Sequence, residues 1–192
     1  MSYFYPRGKI LTTFVDDVTY TEKDVRVRKG QAWKALNKLA RIWKSDLSGQ
    51  RKSQLFVATV ESVLLYGCEA WTLTKAMEKS LDGMYTRMLR MVHGVSGLQK
   101  MTNTQLYGGL PKLSTKIQAR RLKLAGHLLR HSNEAASNLI TWRSNEGKAR
   151  QGAARKTYVD LLEDDTGLTA DEINRCARDR HQWRVVIDRL ST

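Results

Sequence analysis

At 192 residues the chain is long enough to bury a hydrophobic core, most simply as one domain, or as one domain with a loosely attached end. Its 33 Lys and Arg against 19 Asp and Glu, a formal charge of +14, favour a polyanionic partner and argue against an acidic-surface protein. Cys68 and Cys176 alone cannot make a disulfide framework or a Cys-x-x-Cys zinc site. No run of about 18 apolar residues marks a membrane span, and MSYFYPRGK lacks a secretory apolar core, so an intracellular location, nuclear or cytoplasmic, is expected, with no membrane partner.

Two prolines and abundant Leu, Ala, Lys and Arg predict an all-α fold, an irregular bundle of about five to seven helices behind a short N-terminal segment, residues 1–21, that reads as extended. In EKDVRVRKGQAWKALNKLARIWKSDL, residues Trp33, Leu36, Ala40, Trp43 and Leu47 recur at steps of three and four and predict an amphipathic helix with these five inward. Ser48-Gly49 offers a break and an N-cap to a second, more buried helix carrying Leu55, Phe56, Val60, Val63 and Leu64, closed by Tyr66-Gly67. Thr74 caps a third, with Leu81, Tyr85, Met88 and Val92 on one face. A short element around Asn103 to Tyr107 precedes the loop Gly108-Gly109-Leu110-Pro111, and Ser114 opens a long helix to about His131.

SNEGKARQGAARK, Ser144 to Lys156, is Gly-rich and basic without apolar period and reads as a loop. It separates a helical domain, 22–143, from a C-terminal subdomain, 157–192. There Tyr158 to Glu163 is a short helical piece, and Thr169-Ala170-Asp171-Glu172 is a capping box that opens one last helix with Ile173, Cys176, Trp183, Ile187 and Leu190 inward.

Charge is uneven along the chain. Lys112 to Lys156 holds 11 basic and 2 acidic residues, whereas Thr157 to Thr192 holds 5 basic and 8 acidic. Wound at 100° per residue, STKIQARRLKLAGHLLRH gathers Lys116, Arg120, Lys123, His127 and Arg130 within an arc of roughly 80°, opposite Ile117, Leu124, Ala125 and Leu128. Like charges at this spacing repel by a few tenths of a kcal/mol per pair, a cost that a row of phosphates would offset. The stripe, with Lys148, Arg150, Arg155 and Lys156 of the loop, is therefore the candidate contact to an RNA or DNA backbone; a plain solvated face is the competing explanation.

His127 and His131 stand at metal-ligand spacing, but no adjacent acid, thiol or third ligand accompanies them, so no metal site is expected. His93 and His181 read as structural. The acidic group Asp160, Glu163, Asp164 and Asp165 reads as a solvated turn before Thr166-Gly167 rather than a magnesium site. Trp71, Trp142 and Trp183 read as core or interface residues, with base stacking open to Trp142 because it borders the basic loop.

Several blocks in order, AWKALNKLARIWKSDLS, VESVLLYGCEAWTLT, EKSLDGMYTRMLR, TNTQLYGGLP, RRLKLAGHLLRH, GKARQGAARKTYVDLLEDDTGL and DRHQWRVVI, resemble the C-terminal region of reverse transcriptases from non-LTR (LINE-type) retrotransposons. The likeness covers Glu22 to Ile187, and LLYGCEAW and LDGMYTRMLR are its most specific parts. It implies a thumb and post-palm region that grips template, primer or target DNA, with Gly126, His127 and the basic loop matching the family pattern by position and the palm and fingers of the parent as partners. Gln151-Gly152-Ala153-Ala154-Arg155 departs from that pattern, which is usually denser in Gly, Arg and Pro.

Phe14-Val15-Asp16-Asp17 has the local form of a polymerase signature, which makes Asp16 and Asp17 the candidate catalytic residues. A polymerase site needs carboxylates from separate motifs to hold two metal ions, and none of the 15 residues before Asp16 is Asp or Glu. Asp17 also lies only 16 residues before Trp33, closer than in the family. The sequence therefore predicts a nucleic-acid-binding fragment of an RNA-directed DNA polymerase, not itself catalytic and needing no cofactor. A residual polymerase would use Asp16, Asp17 and Mg2+, and a protein-interaction remnant would use apolar faces that a lost palm once covered.

Overall fold

A computed structural model describes residues 18–96, 99–131, 140 and 157–191; every regular element among them is helical, and none is a strand. The all-α expectation holds, with more and shorter helical segments than anticipated. In order they are α1 (Val18–Lys38), α2 (Ala40–Trp43), α3 (Gly49–Phe56), a π-turn (Val57–Glu61), α4 (Ser62–Leu64), a 3-10 turn (Cys68–Ala70), α5 (Lys75–Val92), α6 (Asn103–Tyr107), α7 (Leu113–Arg130), α8 (Tyr158–Thr166), α9 (Ala170–Arg178), α10 (Arg180–Asp188) and a second 3-10 turn (Arg189–Ser191). Asp16, Asp17, Trp142, Lys148, Arg150, Arg155 and Lys156 lie outside the described residues, as does most of the segment expected to be extended; from Val18 onward the chain is helical.

The chain forms two compact units, one from Thr21–Cys68 with Leu73–Ile117, the other including Glu69–Thr72 and the chain from Gln118 on. In the first unit, the single amphipathic helix expected from Trp33 to Leu47 breaks at Leu39. There the Trp43 indole N–H donates to the Leu36 carbonyl over 2.8 Å, taking the place of a helical partner. The break shifts the phase of the apolar stripe: Ala32, Leu36 and Trp43 are buried and Trp33 half-buried, while Ala40 and Leu47 are exposed.

The next helix begins where Ser48 accepts from the Arg51 N–H. It then widens into the π-turn, flanked by hydroxyl bonds back to the chain, Thr59 to the Leu55 carbonyl at 2.6 Å and Ser62 to the Ala58 carbonyl at 2.8 Å. One extra residue in the turn lets Phe56, Val60, Glu61, Leu64 and Leu65 all face inward. Helix α5, capped by Thr74, lays Leu81, Met84, Tyr85, Met88, Leu89 and Val92 into the same core.

In the second unit, Leu122 and Ala125 of α7, Ile140, Tyr158 and Leu162 of α8, Ile173 and Ala177 of α9, and Trp183 and Ile187 of α10 form one buried cluster. Each fully buried Ile or Leu contributes roughly 1.5–3 kcal/mol by leaving water. Capping boxes at Thr157/Asp160 and Thr169/Glu172 start α8 and α9, and Gly167, at φ +68°, supplies the left-handed residue that ends α8. The single last helix expected from the sequence is two helices. Asp179 leaves helical geometry, and its side chain accepts the N–H groups of His181 and Gln182, restarting the helix as α10.

Candidate functional site

Helix α7 carries the basic stripe, and its members have different fates. Lys116 is mostly buried, its Nζ 2.6 Å from Glu61 Oε2 and 3.0 Å from the Tyr85 hydroxyl. Tyr85 donates to the same Glu61 oxygen over 2.5 Å, and burial first, then the Glu61 charge, push the phenol far above its ordinary range. Lys116 therefore completes a buried three-residue network that the π-turn makes reachable, and is not presented to an outside phosphate. A carboxylate placed there without Lys116 and Tyr85 would carry an uncompensated desolvation cost.

Arg120 is part-exposed, with Nη1 3.7 Å from Glu69 Oε1. Arg130 donates from Nη1 to the Ala177 carbonyl at 2.8 Å, which fixes its guanidinium at the C-terminal turn of α9. Lys123 and His127 are exposed on the same face. His127 and His131 place their rings 4.6 Å apart, and among the described residues no group of three or more His, Cys, Asp or Glu gathers as a metal site would require.

The structure brings Lys123, His127 and Arg130 together with two arginines that sequence reasoning missed. Arg180 and Arg184 of α10 line the other wall of a cleft of about 590 Å³, with Trp183, Ile187 and Asp188 also lining it. Asp188 lies 3.9 Å from Arg184, but both side chains are well exposed, so this pair is screened and weak. No carboxylate among the described residues pairs with Lys123 or Arg180. The tail's net acidity hid the two arginines; their i, i+4 spacing in RHQWR was the available signal.

The helices meet closely because Gly126 has no side chain. The Trp183 indole lies against it and donates to the Leu122 carbonyl at 2.8 Å. The AGH and DRHQW segments are thus joined in space: Gly126 admits the indole, Asp179 caps the helix that carries it, and His127, Arg180 and Arg184 surround it.

The acidic group is not the solvated turn expected from sequence. Asp165 is buried against Arg121, which is 1% exposed and also donates to the Trp71 carbonyl at 2.9 Å. A buried guanidinium needs a carboxylate beside it, which draws Asp165 inward. Glu163 accepts from the Ala170 N–H, and Asp160 belongs to a capping box. Of the solitary histidines, His93 sits 3.1 Å from the Ser53 hydroxyl, and burial, then Lys52, hold it below its usual range; His181 is exposed. Cys68 is buried and Cys176 half-buried, neither in a disulfide, and Trp71 and Trp183 are core residues.

No protein-family model and no solved structure matches the chain. The chain is similar to F52C9.6 of Caenorhabditis elegans, a protein described as transposon-derived, with 25% identity over 182 residues, 88% of this chain. It spans 65% of that relative's length. No described helix is long and apolar enough to cross a membrane.

Proposed function

We propose that the chain is the post-palm, helical part of a non-LTR retrotransposon reverse transcriptase and that it grips template or primer rather than catalysing. The observation that carries this reading is the opposition of Lys123, His127 and Arg130 to Arg180 and Arg184 across one cleft. A concave surface with cations on both walls concentrates positive potential and suits a polyanion. The similarity to a transposon-derived protein supports an origin in a mobile element. The blocks LLYGCEAW and LDGMYTRMLR are the sequence basis for the reverse-transcriptase assignment.

The partners in this reading are the RNA or DNA backbone and the palm and fingers of a parent polymerase, whose own carboxylates would hold Mg2+. A binding fragment needs no cofactor. The test is binding of labelled RNA and DNA across a salt series. Four phosphate contacts would weaken binding by roughly 50-fold on a single strand and roughly 150-fold on duplex DNA between about 50 and 200 mM salt. Charge reversal at Arg120 and Lys123 is expected to weaken it at every sequence alike. No binding at low salt would refute the reading, and magnesium-dependent primer extension lost in Asp16→Asn would replace it with the polymerase alternative.

A further inference from the structure

Resting on the nucleic-acid reading above, we propose that the cleft between α7 and α10 takes a single nucleic-acid strand by its phosphodiester backbone, held from both sides. Arg180 and Arg184 supply one side, Lys123 and His127 the other.

The shape of the cleft selects the form of the ligand. A space of about 590 Å³ admits a strand but not a duplex, whose stacked core would hold it at the rim, where it meets one wall at most. Lys123 and Arg130 are seven residues apart, on the order of 10 Å along the helix axis. A strand within a duplex carries one charge per about 3.4 Å of axis, and an extended single strand spaces its phosphates roughly twice as widely, so that length covers about two phosphates. The facing arginines, four residues and about 6 Å apart along α10, match the same spacing.

The floor of the cleft determines what part of the strand is read. Trp183 is 3% exposed and its indole N–H is committed to the Leu122 carbonyl, so the ring is not free to stack on a base. Ile187 beside it has no polar group to offer. Among the described residues, the groups that can hold a strand do so by its phosphates, and the grip is indifferent to sequence. Asp188, the one carboxylate among the described lining residues, follows Arg184 by one turn on α10.

The experiment is fluorescence anisotropy on the full chain with a single-stranded oligonucleotide and a duplex of equal length, as DNA and as RNA, over a range of KCl. Arg180→Ala with Arg184→Ala is expected to lower single-strand affinity by about tenfold or more at low salt. The same change should flatten the log–log salt slope by about 1.4, at about 0.7 per lost contact. Duplex binding should move less than about twofold, because it does not enter the cleft. Lys123→Ala with His127→Ala on the opposite wall should reproduce the single-strand loss, and circular dichroism confirms that each variant is folded. If the arginine variant leaves single-strand binding unchanged, or weakens both forms equally, the inference fails while wild-type binding keeps the broader reading standing. If the wild-type chain binds neither form, both fail.

Discussion

A Cβ on Gly126 would lie 2.1 Å from the Trp183 indole nitrogen and 2.3 Å from its Cδ1. The volume a side chain would take on α7 is thus filled by the aromatic ring of α10. Gly126→Ala must push the indole outward and strain its bond to the Leu122 carbonyl. The expected cost is about 1–3 kcal/mol, the range for overpacking a filled core. A lowered urea midpoint with an altered tryptophan emission spectrum would bear this out; a variant as stable as wild type would show that the indole has room to move.

The Glu61, Tyr85 and Lys116 network gives a second prediction. Tyr85→Phe removes one donor from a buried carboxylate and is expected to cost about 1.5–3 kcal/mol. Lys116→Met leaves the Glu61 charge without its cation and is expected to cost about 3–5 kcal/mol. Combining Lys116→Met with Glu61→Gln should recover much of that loss, since no charge then remains to be compensated. Chemical denaturation of these three variants and of Glu61→Gln alone measures the coupling, and additive losses would show that the groups act independently.

Stability of the first unit should fall in mild acid through His93. Its folded-state pKa lies below the ordinary value, because burial and Lys52 disfavour the charged ring. Between those two values the unfolded chain holds the proton and the native chain does not, so the stabilisation is fully present above the ordinary pKa and is lost as pH falls. His93→Gln should therefore lose less stability than wild type between about pH 7.5 and about pH 5.5. Equal losses in the two proteins would remove His93 as the cause.

Asp179 is the point where one helix becomes two. Asp179→Ala removes the acceptor for the His181 and Gln182 N–H groups and is expected to cost about 1 kcal/mol, within the range for a lost N-cap. Because α10 carries Arg180 and Arg184, the same variant should weaken nucleic-acid binding without removing a positive charge. Thermal melts and binding measured together check this, and an unaltered affinity would show that the cap does not position the arginines.

What the sequence made legible was local. Thr74 and Thr169 announce helix starts because the capping bond spans three residues. Leu81, Tyr85, Met88 and Val92 share a face because α5 runs unbroken. The break at Leu39 has no Gly or Pro to mark it; it is held by the Trp43 indole reaching a carbonyl seven residues back. Arg121 and Asp165 lie 44 residues apart, one in the basic middle and the other in the acidic tail, so charge counting along the chain gives no sign that together they form an interior pair. Half of the cleft, Lys123, His127 and Arg130, was visible as a stripe. Arg180 and Arg184 were averaged away within a segment whose net charge has the opposite sign.

The π-turn at Val57–Glu61 carries one residue more than a regular helix needs. Removing one of Val57, Ala58 or Thr59 would leave Val60, Glu61, Leu64 and Leu65 three, four, seven and eight positions after Phe56, the spacing of a single α-helical face. Glu61 would then keep its place beside Tyr85 and Lys116. Related chains that keep the Tyr85 and Lys116 partners should accordingly tolerate a one-residue deletion at Val57–Thr59 and run there as a regular helix.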